Sequence, residues 1–213
     1  DFNTVIIGDG LTEVPRKTFS KIKTLILGRG FKEILNENFN GRGLVSVIFS
    51  EGLEEIGYSA FSGNNLRYVK FPSTLKLIGN SAFENNSITV LDLPEGLEEL
   101  GHSAFARNPI KHLKLPESLS SIGDGCFQEN SIFKSIEVPS QIEKLGDHVF
   151  SRRYPLEYEE PKKIEVFLPE GLKEIGFYCF EGINASRVVY PSTLEKLGDS
   201  NFLFEVYMPG DDV

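Results

Sequence analysis

One unit of about 22 residues recurs along nearly the whole of this 213-residue chain. The segment EGLEEIGYSAFSGNNLRYVKFP (51–72) is followed by STLKLIGNSAFENNSITVLDLP (73–94), and the apolar residues fall at the same places in both. A unit this short cannot bury a core alone, so neighbouring units have to stack and share one. The recurring phenylalanine marks the repeats at Phe19, Phe39, Phe61, Phe83, Phe105, Phe127, Phe150, Phe180 and Phe202. We expect Phe61, Phe83, Phe105 and Phe127 to stack on one another as a buried spine.

Each unit has two halves of different pattern. In the first half apolar and polar residues alternate, as in YVKF (68–71), and a proline usually follows, which predicts a short strand that ends at the proline. In the second half Leu53, Ile56 and Ala60 are three and four residues apart, which predicts a turn of helix. The glycine of the second half, such as Gly57, is expected where the backbone bends or has positive φ.

Stacking these units predicts an α/β solenoid. We expect a curved right-handed leucine-rich repeat, with one parallel sheet of about ten short strands on the concave face and short helical turns opposite, because strands pack more closely than helical turns. Nine repeats of about 22 residues and the opening strand of a tenth would form a single domain over residues 1–213. One repeat is longer than the others, and we expect residues 151–163 to form a loop inserted in it.

The repeated pattern L-x-x-I-G-x-x-A-F, followed by L-x-x-V-x-F-P, resembles the BspA-like leucine-rich repeats of bacterial cell-surface proteins. The resemblance covers nearly the whole chain, although asparagine follows the phenylalanine here where that family commonly has cysteine. It implies an extracellular or cell-surface module that binds host proteins or other cells, and it implies no catalysis.

Charge and hydropathy exclude several classes of partner. The formal net charge of −9 argues against nucleic acid and anionic membrane, since both attract basic surfaces. No apolar run approaches the roughly 20 residues that a membrane helix needs, so we expect no membrane insertion in this segment. The chain has no signal-peptide pattern, and it starts on a predicted strand and stops just after one, so we expect both ends to be cut from a longer protein.

Two columns of residues are expected to be structural. Cys126 and Cys179 occupy the core-facing alanine position two repeats apart, which is about 10 Å and beyond the roughly 7 Å limit for a disulfide, so we expect two unpaired buried thiols. An asparagine column is expected to cap the backbone groups of adjacent turns, with ligand binding as the weaker alternative. It consists of Asn64, Asn86, Asn108 and Asn130.

No group of residues has the spacing of a catalytic or metal site. The histidines His102, His112 and His148 do not converge, and no cysteine or carboxylate set completes a metal site around them. No phosphate-binding loop or nucleophile motif occurs in the chain. We therefore predict no enzyme activity, no cofactor and no metal.

The side chains that alternate with the buried strand positions point outwards and form the most informative surface. Exposed apolar and aromatic groups often mark interaction sites, but β-branched residues can also serve strand formation alone. The insertion has two equally supported interpretations, a loop that binds a partner or a surface loop that the fold tolerates at little cost. The candidate partner-binding residues are Ile26, Ile48, Tyr68, Lys70, Val90, Asp92, His112, Lys114, Glu137, Phe167 and Arg187 on the sheet, with Tyr154 and Tyr158 in the insertion.

Two functions fit this description. The first is a non-catalytic protein-binding or adhesion module of a secreted or cell-surface bacterial protein, whose partner is a host extracellular-matrix protein or another cell-surface protein. The second is a rigid spacer that presents other domains and binds nothing itself. In either case we expect a monomer located outside the cell.

Overall fold

A computed structural model describes residues 3–15, 18–131, 134–152 and 163–202. Within these ranges the chain is a β-solenoid of 17 short strands that contains no helix, and every strand pair is parallel. The prediction of parallel strands is confirmed. The prediction of an α/β solenoid with helical turns is wrong.

The strands form two rows, and each repeat after the first adds one strand to both rows. The first row lies at the alternating half of the unit and consists of β1 (Thr4–Ile7), β2 (Thr24–Leu27), β4 (Ser46–Ile48), β6 (Val69–Lys70), β8 (Val90–Asp92), β10 (His112–Lys114), β12 (Ser135–Glu137), β14 (Ile164–Phe167) and β16 (Ala185–Val188). The second row lies where helical turns were expected and consists of β3 (Glu33–Ile34), β5 (Glu55–Ile56), β7 (Leu77–Ile78), β9 (Glu99–Leu100), β11 (Ser121–Ile122), β13 (Lys144–Leu145), β15 (Glu174–Ile175) and β17 (Lys196–Leu197).

Hydrogen bonding divides the first row into three ladders, in place of the one sheet that was predicted. These are β1-β2-β4-β6, β8-β10 and β12-β14-β16. The second row forms the ladders β3-β5-β7-β9-β11 and β13-β15-β17. The predicted tenth strand of the first row and most of the predicted insertion lie outside the described residues. The extent of the domain therefore stays a prediction.

The residues with helical spacing form a third hydrogen-bonded side of the coil. The amides of Ser59, Phe61 and Gly63 donate to carbonyl oxygens of the next repeat at 2.9, 2.8 and 2.9 Å. An α-helix would need those amides for carbonyls four residues earlier in the same chain segment. The φ of Ser59 is 49°, which also breaks a right-handed helix. The three- and four-residue apolar steps therefore come from the corners of the coil and not from a helical period.

The direction of curvature was predicted from the greater bulk of helical turns compared with strands. Both rows of this solenoid consist of strands, so that difference in bulk does not exist here. A curved solenoid like that of leucine-rich repeat proteins is supported. The placement of the first row on the concave side stays a prediction.

Stacked phenylalanine rings fill the centre of the coil. Phe105 is fully buried between Phe83 and Phe127, with ring centroids 5.3 and 6.0 Å apart and interplanar angles of 4° and 5°. The same stacking continues from Phe39 to Phe202, and it confirms the predicted spine. Because each ring touches the ring above and the ring below, one large side chain per repeat joins all the repeats into a continuous core.

Side-chain hydrogen bonds confirm the predicted asparagine ladder. The side-chain amide of Asn86 donates to the carbonyl oxygens of Phe61 and Phe83 at 2.9 and 3.1 Å, and its Oδ1 accepts from the Leu66 amide at 3.0 Å. Asn64, Asn108 and Asn130 make the equivalent contacts in their repeats, and all four are buried. The equivalent position after Phe180 is Ile183, which is also buried but offers no such hydrogen bonds.

A steric requirement explains the glycine column of the second half. Gly101 does not have positive φ, which contradicts one of the two reasons predicted for it. A Cβ atom at this position would lie 2.5 Å from the backbone nitrogen of Asn80 and 2.7 Å from the carbonyl carbon of Gly79. The neighbouring repeat therefore approaches so closely that there is no room for a side chain.

Both cysteines lie in the core as free thiols, as predicted. Cys126 and Cys179 are fully buried in the position that holds alanine in other repeats. Burial raises the pKa of both thiols well above the usual value, because the charged thiolate loses its hydration. Neither group has the exposed, low-pKa environment of a reactive cysteine.

Truncating the central ring tests the spine. We expect Phe105→Ala to lower the free energy of unfolding by about 3–5 kcal/mol, the usual cost of deleting a buried phenylalanine. The matched control is Phe177→Ala, whose ring is 52 % exposed and which should change stability by no more than about 0.5 kcal/mol. Urea unfolding of both variants measures the difference. Equal midpoints would contradict the stacking.

Adding a methyl group tests the close approach of the repeats. We expect Gly101→Ala to cost about 1–3 kcal/mol, as overpacking of a tight contact does. Gly10→Ala is the control, because nothing lies within 4 Å of its Cβ position. Thermal unfolding of the two variants should separate them clearly, and a neutral Gly101→Ala variant would show that the repeats can move apart.

Thiol titration tests the burial of the cysteines. Native protein should react slowly with a thiol reagent, because both sulfur atoms are buried and protonated at neutral pH. In denaturant without reductant the same reagent should find two thiols per chain, and finding none would mean that the pair had formed a disulfide.

Candidate protein-binding face

The outward side chains of the first row form one continuous surface, which we call the front face. Its members run from Thr4 and Ile6 on β1 to Arg187 and Val189 at β16. The strand register aligns them in two columns, since Thr4 faces Thr24 and Ser46, and Ile6 faces Ile26 and Ile48. The alternating side chains, such as Leu25 and Val47, are buried in the core. The sequence therefore predicted correctly which strand residues point outwards.

The first three strands of the front face carry an apolar column. Ile6 is 71 % exposed, Ile48 is 49 % exposed, and Ile26 between them is half-buried. Thr4, Thr24 and Ser46 form the second column, so this end of the face carries no charge. Sequence reasoning missed Ile6 because it began the outward columns at the second strand. The 20-residue step from Ile26 back to Ile6 was the available signal.

The middle of the front face brings together the charged candidates. Tyr68 and Lys70 flank the buried Val69, and Tyr68 is 54 % exposed. On the next strands Asp92 pairs in register with Lys114, and Val90 pairs with His112. The Nζ atom of Lys114 lies 3.6 Å from Oε1 of Glu95. At about 4.8 Å per strand, Tyr68 and Lys114 are about 10 Å apart along the row, so one partner can contact both.

The last described strands of the front face mix apolar groups and carboxylates. Glu137 pairs in register with Phe167, and Glu165 pairs with Arg187. Phe167 and Val189 are each 52 % exposed. Tyr154 and Tyr158 lie outside the described residues, so the structure does not place these two candidates.

The second row carries a different surface in which lysines and glutamates neutralise one another. The Nζ atom of Lys32 lies 2.7 Å from Oε1 of Glu54, that of Lys76 lies 3.0 Å from Oε1 of Glu98, and that of Lys173 lies 2.8 Å from Oε2 of Glu143. These pairs lie between successive repeats and are exposed, so each contributes little to stability. They explain the double glutamates of the sequence as a solvated surface.

The resolved pKa shifts of surface groups have structural causes. The pKa of Glu51 is lowered mainly by the hydrogen bond from the Ser73 hydroxyl, which lies 2.9 Å from its Oε2 atom. Glu117 and Glu170 accept the same bond from a serine of the next repeat, Ser140 and Ser192. The hydrogen bond from Lys32 likewise lowers the pKa of Glu54. These carboxylates therefore fasten neighbouring repeats and do not converge on a common point.

The described ranges contain neither a cluster of metal ligands nor a membrane-spanning helix. Within them no three histidine, cysteine or acidic side chains gather in a way that could hold a metal ion. No helix in the same ranges is long and apolar enough to cross a membrane.

Solved structures of bacterial leucine-rich repeat proteins share this fold. A leucine-rich repeat protein of T. pallidum superposes with a TM-score of 0.67 at 23 % identity, covering 84 % of this chain and 81 % of its own. One from Bacteroides ovatus gives a TM-score of 0.72 at 21 % identity, and 90 % of this chain matches 52 % of that protein. The pneumococcal vaccine antigen PcpA gives 0.59 at 20 % identity, covering 93 % of this chain and 68 % of its own.

No curated protein matches the chain in sequence. The family model for the BspA type leucine rich repeat region does match, in six copies that together cover residues 1–108, 32–157 and 156–205. The model covers nearly all of the repeats whose phenylalanines, asparagines and glycines are described above. The chain therefore belongs to the BspA-type leucine-rich repeat family.

Proposed function

We propose that this chain is a non-catalytic protein-binding module of a secreted or cell-surface bacterial protein, and that its partner docks on the front face. One observation carries the proposal. The exposed residues Ile6 and Ile48 stand in one register column that continues to Lys70, and the exposed Tyr68 lies two residues before Lys70. Large exposed apolar groups in one continuous patch, rimmed by polar groups, are the usual mark of an interaction site.

The rigidity of the face supports the proposal. Backbone hydrogen bonds and stacked rings hold every strand of the front face in place before a partner arrives. Binding then costs little ordering of the backbone on this side, and such preorganisation leaves more of the contact energy for affinity. Solenoid repeats commonly use an extended surface of this kind to bind other proteins.

The composition of the face favours a protein as the partner. Tyr68 and the isoleucines offer apolar contact area, while Lys70, Asp92 and Lys114 supply charges of both signs. A polyanion is disfavoured by the net charge of −9, and a mixed surface suits a partner that also carries both signs. We place a host extracellular-matrix protein or another cell-surface protein first among the candidates, with adhesion as the outcome, and we expect the module to act as a monomer.

The location outside the cell is also part of the proposal. One protein of the same fold is a pneumococcal vaccine antigen, and another is a leucine rich cell surface protein of Faecalibacterium prausnitzii with a TM-score of 0.54 at 13 % identity. Those descriptions belong to the two proteins. They support a similar location for this chain because the fold is shared.

The front face can be tested with two matched triple variants. A labelled panel of extracellular-matrix and cell-surface proteins first identifies a partner. The variant Tyr68→Ala, Lys70→Glu, Lys114→Glu should then weaken binding at least about tenfold, since interface anchors of these types each contribute 1 kcal/mol or more. The control is Tyr58→Ala, Lys76→Glu, Lys173→Glu, which changes the same residue types beside the second row, where Tyr58 is 49 % exposed.

Surface plasmon resonance measures both affinities after the unfolding midpoints have been matched. If the control weakens binding and the first variant does not, the front face is the wrong surface. If no protein in the panel binds the unaltered chain, the spacer function replaces the proposal.

A further inference from the structure

A cavity of about 360 Å³ opens on the front face between β14 and β16. Phe167 and Val189 form its exposed apolar walls, and the buried residues Val166, Tyr190 and Pro191 lie beneath them. This volume is at the lower end of the range for ligand pockets, which is enough for one large side chain and too small for a large organic ligand. In the first row β14 lies two strands beyond β10, which carries Lys114, and four strands beyond β6, next to Tyr68, so the cavity is distinct from the middle of the face.

An irregularity in strand pairing accompanies the cavity. Ile164 pairs with Ala185, but the next residue, Glu165, pairs with Arg187, so Ser186 is an extra residue in β16. An extra residue bends a strand and changes the direction of neighbouring side chains, and such bulges often occur next to functional sites. In the regular ladder from β1 to β4 no such shift occurs.

Apolar side chains form the walls and the floor of the cavity. Phe167 and Val189 each leave 52 % of their surface in water, although their neighbours Val166 and Val188 are buried. Tyr190 lies in the floor of the cavity, and only 3 % of its surface is exposed. Burial raises the pKa of Tyr190 to about 12, so the hydroxyl stays protonated and can donate.

The rim of the cavity is predominantly acidic. Glu165 and Glu170 line it, and a third carboxylate, Glu137, stands on the neighbouring strand β12 in register with Phe167. Arg187 is the opposing charge, and it stands in register with Glu165. Two carboxylates are therefore in excess, and they would attract cationic groups on whatever fills the cavity.

We propose that this cavity receives one large apolar side chain of a partner segment, phenylalanine or leucine, that is flanked by lysine or arginine. The apolar walls take the side chain, and Glu137 and Glu170 lie close to the flanking cations. The inference deepens the proposed function, because it names the chemistry of the partner segment that anchors at one end of the front face. The cavity differs from the middle of the front face, where Lys70 and Lys114 would repel the same cations.

Short peptides test the cavity without any knowledge of the natural partner. The probe is acetyl-Gly-Lys-Phe-Lys-Gly-amide, and the comparison peptides replace phenylalanine by alanine or both lysines by glutamate. Titration into isotope-labelled protein, followed by amide chemical shifts, should give saturable shifts around Phe167 and Val189 at millimolar peptide. Each comparison peptide should bind at least about fivefold more weakly, because it loses either the buried ring or the charge attraction.

Two matched variants locate the binding. Phe167→Ala should weaken the probe at least about fivefold, whereas Phe177→Ala, which removes an equally exposed ring beside the second row, should leave it unchanged. Glu137→Lys should weaken the lysine peptide and strengthen the glutamate peptide. Equal binding of the three peptides, or equal effects of the two phenylalanine variants, would overturn the proposal.

The same titration separates this inference from the proposed function. The variant Tyr68→Ala, Lys70→Glu, Lys114→Glu should bind the probe peptide as the unaltered chain does, even where it no longer binds the protein partner. If the peptide fails while the protein partner still depends on Tyr68, the cavity is not an anchor site and the front face remains the docking surface.

Discussion

Close contact between neighbouring coils is the constraint on which the rest of this structure depends. Backbone amides bond from one repeat to the next on three sides of the coil, so the separation of repeats is fixed by peptide geometry. At that separation one phenylalanine ring stacks on the next at 5.3–6.0 Å in the middle repeats. The same separation leaves no space for a Cβ atom at Gly101, and it brings each buried asparagine within reach of two backbone carbonyls.

The front face follows from this fixed separation. Because successive strands are in register, residues 20 to 23 positions apart in sequence become direct neighbours, and Ile6, Ile26 and Ile48 form a column although the chain travels round the whole coil between them. A surface of this kind can be changed one side chain at a time without disturbing the core. The repeat thus keeps its buried positions constant while its exposed positions change from uncharged to mixed charge along the rod.

Much of this fold could be predicted from the sequence, and the failures have identifiable causes. The first row, the phenylalanine spine and the asparagine ladder follow from strict repetition, since a residue present in every unit must meet its equivalents. The helical turns could not be excluded, because Leu53, Ile56 and Ala60 have spacings that suit either a helix or the corners of a coil. The bulge at Ser186 and the cavity beside Phe167 depend on pairing between particular strands, which no single unit reveals. The insertion tyrosines Tyr154 and Tyr158 remain predictions.

The asparagine ladder spans only four successive repeats, and this limit has a consequence for how the rod opens. In a one-dimensional stack, the free energy of opening a segment is close to a sum of terms between nearest neighbours. Each ladder asparagine adds hydrogen bonds across one such boundary, whereas Ile183 adds none at the equivalent position. We therefore expect Asn64–Asn130 to behave as one cooperative unit and the outer repeats to open separately at lower cost. Tyr68 and Lys114 would then lie on the repeats that cost the most free energy to open. The cavity beside Phe167 would lie on repeats that open at lower cost and can adjust when a side chain enters.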